Sequence, residues 1–259
     1  MKKFGLFGYP LGHSFSARFF NEKFQRENID ATYDNYEIAE IAALSHIVES
    51  QPQLVGFNVT IPHKQAIVPL LHFLSPEAAE IGAVNVVRVV RPAEGKIQLW
   101  GYNTDVIGFR ESLRPLLHSH HQRALVLGTG GASKAVIHGL KQLGIHAQPV
   151  SREPKEGILT YSDITPDVIH HFHIIVNASP VGMYPKVDAA PDLPYSALTS
   201  KHILYDLVYN PTETVFMKKG REQGAVVKNG LEMLRLQAIA AWKIWNEMPE
   251  ADYSSAKKT

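Results

Sequence analysis

The chain has 259 residues, 45% hydrophobic and 20% charged, with a formal net charge of +1 and no cysteine. That supports a sizeable core and is long enough for two domains, while disulfides, thiolate metal sites and cysteine nucleophiles are excluded. The near-neutral charge gives no reason to expect nucleic acid or a membrane surface as a partner.

The N-terminal MKKFGLFGYPLGHS has a glycine-broken apolar run and makes a poor secretory signal. No apolar stretch approaches about 18 residues, so no membrane span is expected and the reading is a cytoplasmic protein. In chain order, FGLFG reads as a strand. SARFFNEKFQREN reads as a helix beginning near Ala17, with Phe19, Phe20 and Phe24 on one face. TYDNYEI alternates as a strand, IAALSHIVES is helical, and VGFNVT is a strand again. Pro62 then stands where a first helical turn would begin, and HKQAIVPLLHFL reads as its helix. AVNVVRVV and KIQLWGYN are strands joined by the turn RPAEG. A helix carrying Phe109 and Leu113 leads to HSHHQ, whose histidines read as a solvated turn rather than a metal site. The texture changes over residues 103–122, and a domain junction is expected there. Beyond it come the strands ALVLG, HAQPVS, HIIVNAS, ILYDLVY and AVVKNG. A closing helix, LEMLRLQAIAAWKIW, has a stripe of Leu231, Leu234, Ala238, Trp242 and Trp245, and the tail PEADYSSAKKT reads as frayed. The alternation of strand and helix patterns gives an α/β fold.

ALVLGTGGASKAVIHGLKQLG is the strongest single motif. An apolar strand feeds a glycine turn that opens an amphipathic helix, with Gly144 placed to terminate it. Gly128 and Gly130 fit the first two glycines of a dinucleotide-binding turn, and Ser133 takes the third position, small enough for close packing. An ordinary tight strand-to-helix turn is the alternative. The next strand ends in SREPK, where cofactor choice is made. Arg152, with Lys155 near it, favours the 2′-phosphate of NADP, whereas Glu153 suits a free ribose 2′-OH. NADP is the expected cofactor, with NAD not excluded because of Glu153.

Lys64 raises a question of its own. A cation in the first turn of a helix opposes the macrodipole by roughly 0.3–1 kcal/mol when exposed. Set in a cleft, it needs a carboxylate nearby, and Asp105, after an apolar strand and beside the junction, is the candidate. Such a pair facing a nicotinamide would be a proton donor and its orienter. The bland readings stay open beside this: Ser14 or Ser16 as a helix cap, and Asp105 as the cap of the helix carrying Phe109.

The stretches GYPLGHSFS, FNVTIPHK, GAVNVV, GYNTD, GTGGASKA, VNASPVGMYP, DLVYNPTET and GLEMLRLQA run in one order over nearly the whole chain, and together they resemble the shikimate dehydrogenase family. The resemblance implies two α/β domains with a cleft between them: a substrate domain of residues 1–103 plus 231–259, and a Rossmann-like, doubly wound NADP domain of residues 104–230. It implies NADP-dependent, reversible reduction of 3-dehydroshikimate to shikimate, on the chorismate route to the aromatic amino acids. On that resemblance Lys64 and Asp105 match the catalytic pair. Ser14 and Ser16 match the hydroxyls that hold the substrate carboxylate, and Tyr209 matches a tyrosine near it. Asn58, Thr60, Asn85, Asp105 and Gln237 match groups around the ring hydroxyls. Gly128, Gly130, Gly131, Ala132 and Ser133 match the phosphate loop, and Ser151 and Arg152 the cofactor-selecting turn. Asn177, Ser179 and Met183 lie in the nicotinamide-side wall, and Gly230 matches a glycine close to the nicotinamide. No metal is expected, and the assembly is a monomer or homodimer with a small-molecule substrate. The family pattern at that turn is Asn-Arg-Thr; here Ser151 and Glu153 flank the retained Arg152, and the acid in place of threonine leaves quinate/shikimate dehydrogenases that accept NAD open. Two rivals are a methylenetetrahydrofolate dehydrogenase-like enzyme, opposed by SFS with NVTIPHK, and a non-catalytic nucleotide-binding regulator, opposed by the intact Lys64 and Asp105.

Overall fold

In the computed structural model, residues 1–12 and 15–247 are described. The chain divides into two compact units, one of Met1–Thr104 with Ala238–Thr259 and one of Asp105–Gln237.

In the first unit β1 (Lys2–Gly8), β2 (Ala31–Glu37), β3 (Leu54–Val59), β4 (Phe73–Leu74), β5 (Val86–Val90) and β6 (Gln98–Tyr102) form a mixed sheet in the order β2-β1-β3-β5-β6-β4. Alternation along β1 sends Phe4 and Leu6 to one face and Phe7 to the other. The first face packs on α1 (Phe15–Arg26) through Phe20 and Phe24 and on Ala238, Ala241 and Trp245 of the closing helix. The second packs on α2 (Ala43–Ser50) through Leu44 and Val48. Phe7 pairs with Val59, Asn58 with Val86, and Val86 with Tyr102. The residues that follow β1, β3 and β6, and those that precede β5, therefore share one edge of the sheet.

The helix read from His63 to Leu74 is a correction. Only α3 (His63–Ala66) is α-helical; a 3₁₀ turn, Val68–Leu70, and the short β4 follow. Pro69 lacks the N–H that would continue the ladder and disfavours the α conformation at the residue before it. A helix this short has little macrodipole, so the electrostatic objection to Lys64 largely disappears. A helix that the periodicity did not reveal, α4 (Pro76–Ile81), has strong local signals: the Ser75 hydroxyl accepts from the Ala78 N–H at 3.2 Å, Pro76 stands in its first turn, and Gly82 closes it at φ 66°. Helix α1 begins at Phe15, so Ser16 lies inside it and is not its cap.

The second unit opens with α5 (Asp105–Leu113). Strands β7 (Arg123–Leu127), β8 (His146–Ser151), β9 (Leu159–Thr160), β10 (Ile174–Asn177), β11 (Ile203–Asp206) and β12 (Val226–Lys228) make an all-parallel sheet in the order β12-β11-β10-β7-β8-β9. The crossovers are α6 (Gly131–Gln142), α7 (Pro166–His171) and α8 (Val215–Glu222). Both faces are covered: Ala124, Val126, Ile174 and Val176 pack with Phe109, Val136 and Leu140, while Leu125, Leu127, Ile175 and Leu204 pack with Ile169 and Phe216. This explains why these strands read as unbroken apolar runs. The chain starts in the middle, winds to one edge, then returns to build the other half, which is the Rossmann order, with its reversal between β7 and β10.

The last helix, α9 (Leu231–Glu247), buries Met233, Gln237, Ala238, Ala241 and Trp245, whereas Leu231 is exposed. The expected stripe was therefore rotated: Ala238 and Trp245 belong to it, Leu231 does not. HSHHQ is the solvated turn that was read at four of its residues, with His118, Ser119, His120 and Gln122 exposed, and departs from that reading at His121. His121 is buried, its ring accepts from the His118 N–H at 2.9 Å, and its other nitrogen donates to the Lys201 carbonyl at 3.0 Å. The His120 ring centroid lies 4.0 Å from that of His121, and His173 and His202 continue the cluster. The tail PEADYSSAKKT lies outside the described residues. Among the described residues, no helix is long and apolar enough to cross a membrane, and no group of three or more His, Asp or Glu could hold a metal ion.

Candidate active site

At the shared edge of the first sheet, neutral side chains join in a buried chain. The Tyr33 hydroxyl donates to Asn58 Oδ1 at 2.7 Å, and Asn58 Nδ2 donates to the Asn85 carbonyl at 3.1 Å. Asn85 Nδ2 donates to Thr104 Oγ1 at 3.0 Å, and the Thr104 N–H returns to Asn85 Oδ1 at 2.7 Å. Ser16 bonds the Tyr33 phenol, and burial pushes that phenol well above its ordinary pKa against the lowering effect of the serine. Tyr33 stacks on Phe20 at 4.8 Å, which fixes the ring. Ser16, Asn58, Asn85, Asn103 and Thr104 are all buried. Each satisfied donor and acceptor limits the rotamers of the next, so Asn58 and Asn85 are held in one pose.

Thr60 and Lys64 flank this chain on the segment that leaves β3. The Thr60 N–H donates to the Phe7 carbonyl, the Thr60 carbonyl accepts from the His63 N–H, and the Lys64 carbonyl accepts from the Val84 N–H. His63 is buried, with its ring nitrogen 2.7 Å from the Ile38 carbonyl. Lys64 itself is half-buried. Asp105, buried, is the first residue of α5 and follows Thr104 directly, so the Asn85–Thr104 bonds anchor the backbone from which it springs. Ser14 lies outside the described residues. Tyr33 and Thr104 were missed as members of this network, and so was the buried Asn103 next to it in the chain, whose Nδ2 donates to the Ala83 carbonyl at 2.9 Å. Thr104 stood inside the GYNTD motif, while Tyr33 looked like any inward residue of an alternating strand.

In the second unit the reversal point between β7 and β10 carries the glycine turn. Gly128 adopts φ 115°, its N–H donates to the Val150 carbonyl at 2.9 Å, and a Cβ there would stand 3.1 Å from the Ala178 carbonyl oxygen. Gly130 precedes α6 with no side-chain cap, and a Cβ on it would meet nothing within 4 Å. The space in front of the turn is therefore open to a phosphate, and the cradle fits a dinucleotide. Ser133, fully buried, donates to the Gly130 carbonyl at 2.7 Å and closes the turn from behind, beside Gly131 and Ala132. Helix α6 ends as read: the Gly144 N–H bonds the Lys141 carbonyl, the Ile145 N–H bonds the Leu140 carbonyl, and Gly144 has φ 74°. Ser151 accepts from the Glu153 N–H and donates to its carbonyl, a local turn that leaves the Arg152 and Glu153 side chains exposed. Arg152 lies close enough to Tyr161 to oppose the upward shift that burial gives that phenol.

Beyond the reversal, Asn177 is fully buried. Its Oδ1 accepts from the Ser179 N–H and hydroxyl at 3.2 and 2.6 Å, and its Nδ2 donates to the Val181 carbonyl and to Asp206 Oδ1 at 3.1 and 3.0 Å. Met183 and Tyr209 are exposed at 44% and 37%, large apolar surfaces left open on loops. Gly230 passes so close to the next loop that a Cβ would fall 2.1 Å from the Leu207 carbonyl oxygen. Gln237 is buried in α9 and donates to the Leu234 carbonyl at 3.0 Å.

A family model described as the shikimate dehydrogenase substrate binding domain matches residues 6–87. A shikimate dehydrogenase (NADP(+)) of Nostoc sp. is 38% identical over 94% of this chain and 90% of its own. The chain belongs to the shikimate dehydrogenase family. Solved structures of the family agree. Shikimate dehydrogenase from Aquifex aeolicus superimposes with a TM-score of 0.83 at 34% identity, covering 96% of this chain and 94% of that one. The Thermus thermophilus shikimate 5-dehydrogenase in complex with NADP(H) and shikimate gives 0.82 at 30% identity, covering 96% and 94%.

Proposed function

We propose that this chain catalyses the reversible, NADP-dependent interconversion of 3-dehydroshikimate and shikimate. One observation carries the reading: the identity to NADP(+) shikimate dehydrogenases spans 94% of the chain, and so runs through both the amide network and the open glycine turn. The cofactor, when bound, would supply the hydride to the ring ketone as NADPH or accept it from the alcohol as NADP+.

The chain's own residues do the rest. Gly130, Gly131, Ala132 and Ser133 present backbone N–H groups to the pyrophosphate, Gly128 lets the turn close at its positive φ, and Ser151 with Arg152 meets the 2′-phosphate. Glu153 weakens that preference by repulsion. Asn177, Ser179, Met183 and Gly230 line the nicotinamide side. Asn58, Thr60, Asn85 and Gln237 hydrogen-bond the ring hydroxyls, and Ser14, Ser16 and Tyr209 take the carboxylate. Neutral amides and hydroxyls suit a polyhydroxylated acid, because a ligand lacking a matching hydroxyl leaves a buried group unpaired. Lys64 holds the proton that the carbonyl oxygen receives, and Asp105 orients the ammonium.

The test is steady-state oxidation of shikimate and of quinate, each with NADP and with NAD. Shikimate with NADP is expected to give the highest kcat/KM. Absence of turnover of shikimate with either nucleotide would overturn the reading, and faster quinate oxidation with NAD would move the chain to the quinate branch of the same chemistry.

A further inference from the structure

We propose that Asp206 is the positioning residue of the nicotinamide-side wall, a single carboxylate that sets the pose of the loops leaving β10 and β11 and of the start of α8. The inference rests on the dinucleotide reading above and names a residue to which that reading gave no role.

Asp206 ends β11 at the carboxyl edge of the parallel sheet and is fully buried. Its Oδ1 accepts from Asn177 Nδ2 and from the Val208 N–H, both at 3.0 Å, and its Oδ2 accepts from Thr214 Oγ1 at 2.6 Å. Those three donors are neutral and come from different segments. Through Asn177, Asp206 fixes the amide that in turn orients the Ser179 hydroxyl and N–H and the Val181 carbonyl. The Asn177 amide has no spare capacity: both of its donors and both of its acceptor sites are taken. Through Val208 it fixes the loop whose carbonyl accepts from the Gly230 N–H at 3.2 Å, beside the close passage of Gly230 over Leu207. Through Thr214 it fixes the cap of α8, whose hydroxyl oxygen also accepts from the Met217 N–H at 3.3 Å.

A carboxylate is a costly choice for such a place. Burial pushes Asp206 up to about 6, against the lowering effects of Thr214, Val208 and Asn177. An apolar core residue would hold β11 without that cost. What it could not do is accept from three donors in three directions at once. The acceptor capacity is used on Asn177, on the Val208 loop behind Gly230, and on α8. The first two are the segments that carry Asn177, Ser179 and Gly230 toward the nicotinamide. Hydride chemistry depends steeply on that geometry, so a wall displaced by about 1 Å is enough to lower turnover about 100-fold.

The test compares Asp206→Ala, Asp206→Asn and Thr214→Val with the wild-type enzyme. Three quantities are read: the fluorescence of bound NADPH, which reports the surroundings of the nicotinamide; the dissociation constant of adenosine 2′,5′-bisphosphate, which engages the glycine turn and the Ser151–Arg152 turn but has no nicotinamide; and kcat with KM for shikimate. Asp206→Ala is expected to abolish the NADPH emission change and lower kcat at least about 30-fold, with adenosine bisphosphate affinity within about threefold. Asp206→Asn, which keeps an acceptor for Asn177 and Val208 and can donate to Thr214, is expected to restore kcat to within about fivefold. If Asp206→Ala does not fold, Thr214→Val decides, with an expected kcat loss of at least about threefold at unchanged adenosine bisphosphate affinity. Wild-type kcat and emission in a folded Asp206→Ala or in Thr214→Val would overturn the proposal, as would equal losses of kcat and adenosine bisphosphate affinity. The emission readout needs no substrate, so a failure of the shikimate assignment leaves it interpretable.

Discussion

The polar machinery is built differently in the two units. In the first, neutral links run in series: Ser16 and Tyr33, Asn58, Asn85, Thr104. In the second, links converge on one carboxylate, Asp206, from Asn177, Val208 and Thr214. A series of neutral groups presents hydrogen-bonding atoms one after another along a sheet edge, which suits a ligand bearing several hydroxyls. A convergent hub instead locks several loops into one surface, which suits holding a flat ring. A broken link in the series is expected to be local, whereas loss of the hub releases every loop together.

The largest expected effect asks whether proton chemistry belongs to the first unit. Lys64→Ala should cut turnover by about 10²–10⁴ while the NADPH dissociation constant stays within about threefold. Comparable losses in both would erase the division of labour. Next comes the second unit's rigidity. Gly230→Ala places a methyl 2.1 Å from a backbone oxygen that cannot step aside, and should destabilise the protein by about 2–3 kcal/mol, read by denaturant melting. Wild-type stability would show that the loops are not locked together. For the series, Tyr33→Phe leaves Asn58 Oδ1 without its donor, an expected loss of about 1–2 kcal/mol. It should raise KM for shikimate with KM for NADP unchanged, and a rise in both would count against a local effect.

The smallest effect is one of acid and belongs to the second unit, which holds all four of the groups concerned. Burial, with neighbouring imidazoles adding to it, holds His121, His173 and His202 below their ordinary value of 6.5. Their unfolded forms take up protons first, so the stability they contribute is complete above about pH 6.5 and is lost as the pH falls through the lower folded values. Asp206, raised from 3.8 to about 6, acts in the opposite sense: the stability it contributes is present below 3.8 and lost as the pH rises through 6. With three groups against one, the melting temperature should fall between pH 7.5 and 5.5, and the double replacement His173→Gln with His202→Gln should flatten that slope. A pH-independent melting temperature would remove the histidine cluster from the account.

Much of the fold was legible locally. The second sheet's unbroken apolar runs announced strands covered on both faces, and the glycine turn after ALVLG announced the open cradle at Gly130. The collinear motifs marked Asn58, Asn85 and Asn177 before any partner was visible. The helix at Lys64 was over-read because a run of apolar residues conceals what one proline does at Pro69. Helix α4 was overlooked although Ser75, Pro76 and Gly82 bracket it, because its span is short for a periodicity to show. Tyr33 and Asp206 were not legible as network members: their partners are separated from them in sequence, Asn58 by 25 residues and Asn177 by 29.

By itself, then, the sequence determined where most strands and helices form, where the phosphate turn opens, and which family's motifs the chain carries. These depend on periodicity, backbone freedom and residue type over a few positions. Tertiary structure alone decided which polar atoms meet: that Tyr33 holds Asn58, that Asp206 gathers three segments, that His121 is buried. Hydrogen bonds reach only about 3 Å, so their partners are set by the register of strands brought together from far along the chain.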